Sequence, residues 1–129
     1  IVCIGEKERD DDAGYLEIIK AQLKEALVHV SRSDFHKVII AYEPVWAIGG
    51  KVPATTSECF EVIIALRRAL ASIASIDYAK KVQVLYGGAV DSENAKSYLE
   101  EGGVDGLLIG RASQDAISFM EIINACYEK

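Results

Sequence analysis

Two periods alternate along this chain. Four short runs are apolar at almost every position: Ile1-Val-Cys-Ile4, Val38-Ile-Ile-Ala-Tyr42 (with Lys37 leading in), Val82-Gln-Val-Leu-Tyr86 and Gly106-Leu-Leu-Ile109. Runs of that length without alternation predict strands buried on both faces, near residues 1–4, 37–42, 82–86 and 106–109. Elsewhere apolar residues recur every three or four positions, the helical period. Leu16, Ile19, Leu23, Leu27 and Val30 form one stripe, and Phe60, Ile63, Ile64, Leu66, Leu70 and Ile73 a second. Ala95, Tyr98 and Leu99 form a shorter third, and Ile117, Met120, Ile123 and Tyr127 a last. Thr55 followed by Glu58 has the spacing of a capping box, Asp91 is placed to cap the third helix, and Gly102-Gly103 to end it. Ser31-Arg-Ser-Asp34 reads as a turn. Four βα units in succession mean a parallel sheet covered by helices, the α/β class. The pattern leaves two architectures open, a doubly wound sheet and part of a closed barrel.

In parallel α/β proteins, ligands collect at the carboxyl ends of the strands. Those ends hold Glu6, Glu43, Gly87-Gly88 and Gly110-Arg111. Glu43 stands where the second strand stops, because Pro44 cannot donate a ladder hydrogen bond and biases its predecessor towards extended backbone. Pro44 to Thr55 is a loop with one large indole (Trp46), two adjacent glycines and a second proline, Pro53. That is the make-up of a lid, with an apolar side chain to pack when shut and flexible points to move on, or of a plain turn over a buried Trp. The two glycine turns lead towards helix starts, where free amides and the helix dipole favour an anion. A carboxylate beside two such turns predicts a phosphate-bearing substrate. A Glu in an apolar, closable pocket has its basicity raised. Such a base takes a proton from a carbon next to a carbonyl and returns it to the neighbouring carbon, interconverting an aldose and a ketose with no metal or organic cofactor. A surface carboxylate at a strand end is the plainer alternative.

Half of the 129 residues are hydrophobic, enough for one core, so a single domain over 1–129 is expected. No apolar run reaches the length of a membrane span, and no charged-then-apolar leader opens the chain. A net charge of −6 argues against nucleic acid or an anionic membrane as partner, so a phosphate has to be held locally by amides or a few placed cations. Cys3, Cys59 and Cys126 are odd in number, far apart and without metal-type spacing, which points to a reducing, cytoplasmic compartment. His29 and His36 lie at a polar helix end with nothing nearby that suggests chemistry. The acidic run from Lys7 to Asp12 reads as a solvated loop ending in a helix cap.

Tyr42-Glu-Pro-Val-Trp-Ala-Ile-Gly49 resembles the active-site segment of the triosephosphate isomerase family, a strand and its closing loop. Cys3-Ile-Gly-Glu6, Tyr86-Gly-Gly88 and Asp105-Gly-Leu-Leu-Ile-Gly110 are similar to further motifs of that family, in its order and at similar spacing. The resemblance covers the whole chain, but only the C-terminal half of the family's barrel. It implies four βα units forming half of a (β/α)8 barrel, and an isomerase of dihydroxyacetone phosphate and glyceraldehyde 3-phosphate. Carried over, Glu43 is the catalytic base and Pro44 to Ala54 the lid, with Val45 and Trp46 in its first part. The Gly49 amide meets the phosphate when the lid closes, and the amides around Ala89, Gly110 and Arg111 complete the cradle. Tyr86 hydrogen-bonds the closed lid, Glu6 interacts with the Trp46 region, and Cys3 packs beneath the base. Arg67 and Asp105 are expected to form a structural ion pair.

The chain also departs from the family's pattern. Ala89 stands where Ser is usual, Arg111 where Gly is usual, and the Arg expected shortly after Glu6 falls on Asp11. The lid reads Gly49-Gly-Lys-Val-Pro-Ala54 in place of the usual Gly-Thr-Gly-Lys-Thr-Ala. These departures keep open an isomerase of a four-carbon ketose phosphate such as erythrulose phosphate. The family's electrophilic His and substrate-binding Lys belong to the N-terminal half, so the chain alone is expected to be inactive. Its edge strands are expected to pair with that half, or with a second copy, to total eight strands. Two readings of other classes remain: a catalytically silent phosphate-binding half-barrel that self-associates, and a small doubly wound domain, disfavoured because no nucleotide fingerprint follows the first strand.

Overall fold

The computed structural model describes residues 1–10, 12–49 and 52–127. Asp11, Gly50, Lys51, Glu128 and Lys129 lie outside the described residues, and with them part of the expected lid. The elements run β1 (Val2–Ile4), α1 (Gly14–Leu27), a 3-10 helix (Arg32–Lys37), β2 (Ile39–Tyr42), a 3-10 turn (Val45–Ala47), α2 (Thr56–Ile73) and α3 (Ile76–Ala79). They continue with β3 (Gln83–Tyr86), α4 (Ala95–Glu101), β4 (Gly106–Leu107), a 3-10 helix (Arg111–Gln114) and α5 (Ala116–Tyr127). All four strands are parallel and lie in the order β1-β2-β3-β4. A doubly wound sheet reverses its strand order at a switch point. Here each strand adds beside its predecessor, and right-handed crossovers then place every covering helix on one face. The winding is that of a barrel segment.

The register separates the two faces. Val2 pairs with Ile40, Ile4 with Tyr42, Ile40 with Val84 and Tyr42 with Tyr86, so these residues share the face beneath the helices. Ile4, Ile40, Tyr42, Val84 and Tyr86 are buried there with Ile19 and Leu23 of α1 and Leu66 and Leu70 of α2. The opposite face carries Cys3, Ala41, Leu85 and Gly106 in register. Of these Cys3 is exposed and Leu85 half-buried, and Gln83 on the same face is exposed. The strands are therefore buried on one face within this chain, not on both as their composition suggests. β1 and β4 each have one unpaired edge among the described residues.

Local chemistry explains the helices. Thr55 accepts from the Glu58 amide at 3.2 Å while the Glu58 carboxylate accepts from the Thr55 amide at 2.7 Å, the reciprocal cap that the spacing predicts. α2 turns Cys59, Val62, Ile63, Leu66 and Leu70 inwards. Phe60, expected in its stripe, is 46% exposed and rests instead on Gly103, where a side chain would collide with its ring. Gly103 has φ +72°, so glycine is required there both for space and for backbone conformation. The turn at Ser31 becomes a 3-10 helix anchored by the buried Phe35, which delays β2 until Ile39. The stripe of α5 points outwards: Ile117 is 71% and Met120 52% exposed, and Ile122 is the buried residue among those described in this helix.

Arg67 of α2 ties the sheet from below. Its guanidinium donates to the Val82 carbonyl at 2.7 Å and to the Asp105 carboxylate at 2.5 Å, and the same Asp105 oxygen accepts from the Val84 amide. The expected ion pair is present and locks α2, β3 and β4 together. No helix of the described residues is long and apolar enough to cross a membrane.

Four tyrosines make the fold sensitive to alkali. Burial, and then hydrogen bonding to Glu61, pushes Tyr15 up to about 12, and burial likewise holds Tyr42, Tyr86 and Tyr98 above their ordinary value. A raised phenol pKa favours the neutral form in the folded state. The stability it contributes is fully present below the unfolded value of about 10 and is lost as pH rises through the folded value. Urea midpoints are expected to hold between pH 8 and about 9.5 and to fall progressively above about pH 10. A midpoint that does not move by about pH 11.5 contradicts this coupling.

Candidate active site

Glu43 leaves the sheet at the tip of β2. Its amide donates to the Ile4 carbonyl at 2.8 Å, so the backbone is still in the ladder when Pro44 ends it. Side chains alternate along a strand, and Glu43 has the parity of Ala41, so its carboxylate emerges on the open face. Two neighbours make room for it. A Cβ on Gly5 would stand 1.8 Å from the Glu43 carbonyl oxygen, and one on Gly87 would stand 2.7 Å from the Glu43 Cγ. Cys3 lies on the same face, and the Glu43 carboxylate beside it, together with burial, raises the thiol pKa. Cys3 therefore lies against Glu43 as the resemblance implies, though on an exposed position.

A cleft of about 660 Å³ opens beside Glu43. Gly49, Ala89, Gly110 and Arg111 all line it, so the candidate base and the four candidate phosphate-binding residues meet in one space. Gly110 is unobstructed, with nothing within 4 Å of the place a Cβ would take. Gly49 has φ +68°, and a Cβ there would stand 3.9 Å from the Arg111 Nη2. The guanidinium thus reaches across to the lid segment. The approach to the helices differs from expectation. The Gly87-Gly88 turn reaches α4 only after a turn built on Asp91, whose carboxylate accepts from the Glu93 and Asn94 amides at 3.0 Å. Gly110 is followed by a 3-10 turn, closed by Ser113 on its carbonyl, before α5 begins. Any anion here meets turn amides and Arg111, since neither α-helix starts directly at the glycines.

Glu6 has the opposite parity and the opposite environment. It follows Ile4 on the helix side, is 0% exposed, and one oxygen, Oε1, accepts from Trp46 Nε1 at 2.8 Å, the Tyr42 hydroxyl at 2.9 Å and Arg9 Nε at 3.1 Å. Arg9 also donates to the Tyr42 oxygen at 3.1 Å and the Glu58 carbonyl at 3.0 Å, and lies over the rings of Tyr15 and Trp46. Burial works against the Arg9 charge, but its bonds to Tyr42 and Glu6 outweigh that and raise its pKa. The start of the expected lid is held to the same place by backbone, since Val45 donates to the Glu6 carbonyl at 3.0 Å. The Glu6–Trp46 contact is as expected. Arg9 is not: the acidic run containing it read as solvated loop, and the cation sits three residues after Glu6 where the side chain can fold back. Its only sequence signal is that spacing. The position where an Arg was expected, Asp11, lies outside the described residues.

At the other end of the expected lid, Ala54 is buried and its carbonyl accepts from the Tyr98 hydroxyl. Tyr86 stacks on Tyr98, with ring centroids 4.1 Å apart. Pro44 is buried, Trp46 half-buried and Val45 exposed. His29 and His36 are both exposed and outside the cleft. Among the described residues no group of three or more His, Cys, Asp or Glu stands close enough to hold a metal ion.

A family model described as triosephosphate isomerase matches residues 1–126. The chain is 46% identical over 126 residues to the triosephosphate isomerase of Fusobacterium nucleatum, covering 97% of this chain and 50% of that protein. It is 42% identical over 126 residues to that of Caldanaerobacter subterraneus, covering 96% and 50%, and 43% identical over 125 residues to that of Borreliella burgdorferi, covering 96% and 49%. The chain spans about half the length of the curated relatives it matches.

Arg9 gives the site its clearest stability test. Removing it leaves Glu6 buried without its cation, a change that costs about 3–5 kcal/mol in comparable settings. Arg9→Ala is expected to lower unfolding free energy in urea by that order and to alter the fluorescence of Trp46. A loss below about 1 kcal/mol would place Arg9 with exposed, weakly contributing ion pairs.

Proposed function

The chain belongs to the triosephosphate isomerase family, and we propose that it supplies the C-terminal half of an aldose–ketose isomerase acting on dihydroxyacetone phosphate and glyceraldehyde 3-phosphate. The observation that carries this reading is the convergence of Glu43 with Gly49, Ala89, Gly110 and Arg111 on one cleft. The phosphate binds to the amides around Ala89, Gly110 and Arg111, with the Arg111 guanidinium adding the local cation an acidic chain otherwise lacks. Anchored there, the substrate presents the carbons next to its phosphate-bearing end to the Glu43 carboxylate. Glu43 removes a proton from the carbon beside the carbonyl, and the C–H electron pair becomes the C=C bond of an enediol as the carbonyl oxygen takes up charge and a proton. Return of the proton from Glu43 to the neighbouring carbon, as the other enediol oxygen gives up its proton and becomes the new carbonyl, completes the exchange of aldose and ketose. Positioning and removal of water supply the rest, which is what a lid rooted at Glu6 and Ala54 provides.

The carbonyl oxygen needs a donor during this step, and the family's electrophilic residues belong to the other half of the barrel. Among the described residues the sheet ends in unpaired edges on both sides, and the open face holds Cys3 and Leu85 incompletely covered. Both features support pairing with an N-terminal half or with a second copy. The three cysteines are unpaired, which supports a reducing, cytoplasmic setting. Arg111 beside the lid favours a second substrate reading, a four-carbon ketose phosphate, because it changes the space available at the phosphate end; the ratio of kcat/KM for the triose and tetrulose phosphates decides between them.

Glu43→Gln keeps shape and removes the base. In the assembled isomerase it is expected to lower kcat by about 10²–10⁴-fold while inorganic phosphate binds within about threefold of wild type. Retained turnover would remove Glu43 from the role of base. Binding with no turnover in any reconstituted form would favour a silent phosphate-binding half-barrel. A second expectation concerns assembly: sedimentation at micromolar concentration should show the chain in a species larger than itself, and a monodisperse monomer would overturn the pairing of half-barrels.

A further inference from the structure

Tyr98 of α4 touches none of the cleft, yet it holds one end of the segment that closes over it. The side chain is 2% exposed, its hydroxyl donates to the Ala54 carbonyl, and its oxygen lies 3.3 Å from the Tyr86 hydroxyl. The Tyr98 hydroxyl is directed at both oxygens, and the Ala54 carbonyl is much the nearer acceptor. The carbonyl of one lid residue is thus held by a tyrosine whose ring stacks on that of Tyr86.

The location gives this contact its consequence. Ala54 is the last residue of the lid, and Thr55, next to it, is fixed by the capping box of α2. Tyr98 comes from α4, the helix that follows the Ala89 side of the phosphate cradle, where Asn94 donates to the Ala89 carbonyl at 3.2 Å. Between its two ends the lid carries exposed side chains, among them Ile48 and Val52. A buried hydroxyl on a carbonyl is not needed to fill the core, since the ring alone does that.

We propose that Tyr98 is a positioning residue for the lid: its hydroxyl pins the C-terminal hinge at Ala54 to the helix behind the phosphate cradle, so that the hinge turns about a fixed point instead of fraying. The proposal rests on the lid reading given under the proposed function, and it is testable without substrate.

Tyr98→Phe retains the stacked ring and removes only the hydroxyl. Hydrogen exchange measured on the chain in the assembly it natively forms, with no ligand, is expected to speed up about tenfold at Ala54 and Val52, while amides of α1 and within α4 keep their rates. A uniform acceleration through α4 and β3, or no change at Ala54, overturns the proposal, because a merely structural hydroxyl acts on its own helix first. Tyr98→Leu, which also removes the ring, serves as the second variant. It should raise exchange at Ala54 at least as far as Phe does, and a wild-type rate there is again fatal. Affinity for inorganic phosphate, followed in parallel, is expected to weaken several-fold in Tyr98→Phe. If the wild-type protein itself binds no phosphate, the isomerase reading fails, while the exchange rates still decide the role of Tyr98.

Discussion

One buried carboxylate oxygen sets the relative positions of β1, the end of β2 and the start of the lid. Glu6 Oε1 takes donors from Arg9, Tyr42 and Trp46, and its own backbone carbonyl takes Val45. A carboxylate with no exposure is costly unless cations and hydrogen bonds surround it, and here they are concentrated on a single atom while Oε2 has no hydrogen-bond partner among the described residues. The arrangement therefore tolerates little displacement. Moving Trp46 away would remove one of three donors and leave Tyr42 and Arg9 to hold the charge. The aromatic rings over Arg9 keep that cation desolvated and in place.

The two glutamates at neighbouring strand tips are separated by parity. Glu6 continues the side of β1 that faces the helices and becomes structural. Glu43 continues the side of β2 that faces away and opens onto the cleft beside Gly87 and Cys3. A shift of one residue in either strand would exchange their environments, because side chains alternate with period two. Gly5 is the residue that permits the close passage of the two strand ends. Its backbone is further held by Gln22 of α1, which both donates to and accepts from it.

The segment proposed as a lid is anchored differently at its two ends. The N-terminal end depends on charge, through Glu6 and Arg9, and the C-terminal end on neutral phenols and a helix cap. Charged anchoring in a buried setting is strong but sensitive to geometry, whereas the stacked tyrosines combine ring packing with directed hydrogen bonds. Between them Gly49, with its positive φ, lets the chain turn towards Arg111.

The local rules were legible in the sequence. Continuous apolar runs and helical stripes placed four βα units, Pro44 ended a strand at Glu43, and Thr55 with Glu58 announced a cap, because each depends on residues within one or two turns of each other. The family's motifs marked Glu43, Gly49, Tyr86 and Gly110, and membership of that family is borne out over residues 1–126. What lay beyond reach was everything set by chain segments meeting across the fold. Arg9 sits in an acidic run whose solvation is the natural reading, and only the approach of Tyr42 and Glu58, far along the chain, turns it inwards. Tyr98 looked like one residue of an apolar stripe until the sheet brought it against Tyr86 and Ala54. Phe60 and the stripe of α5 carry the periodicity of buried faces, yet their exposure depends on which neighbouring units are present to cover them. Periodicity reports that a side chain can be buried. Strand order and register decide against what, because burial is a property of two surfaces and the sequence of either one describes only its own.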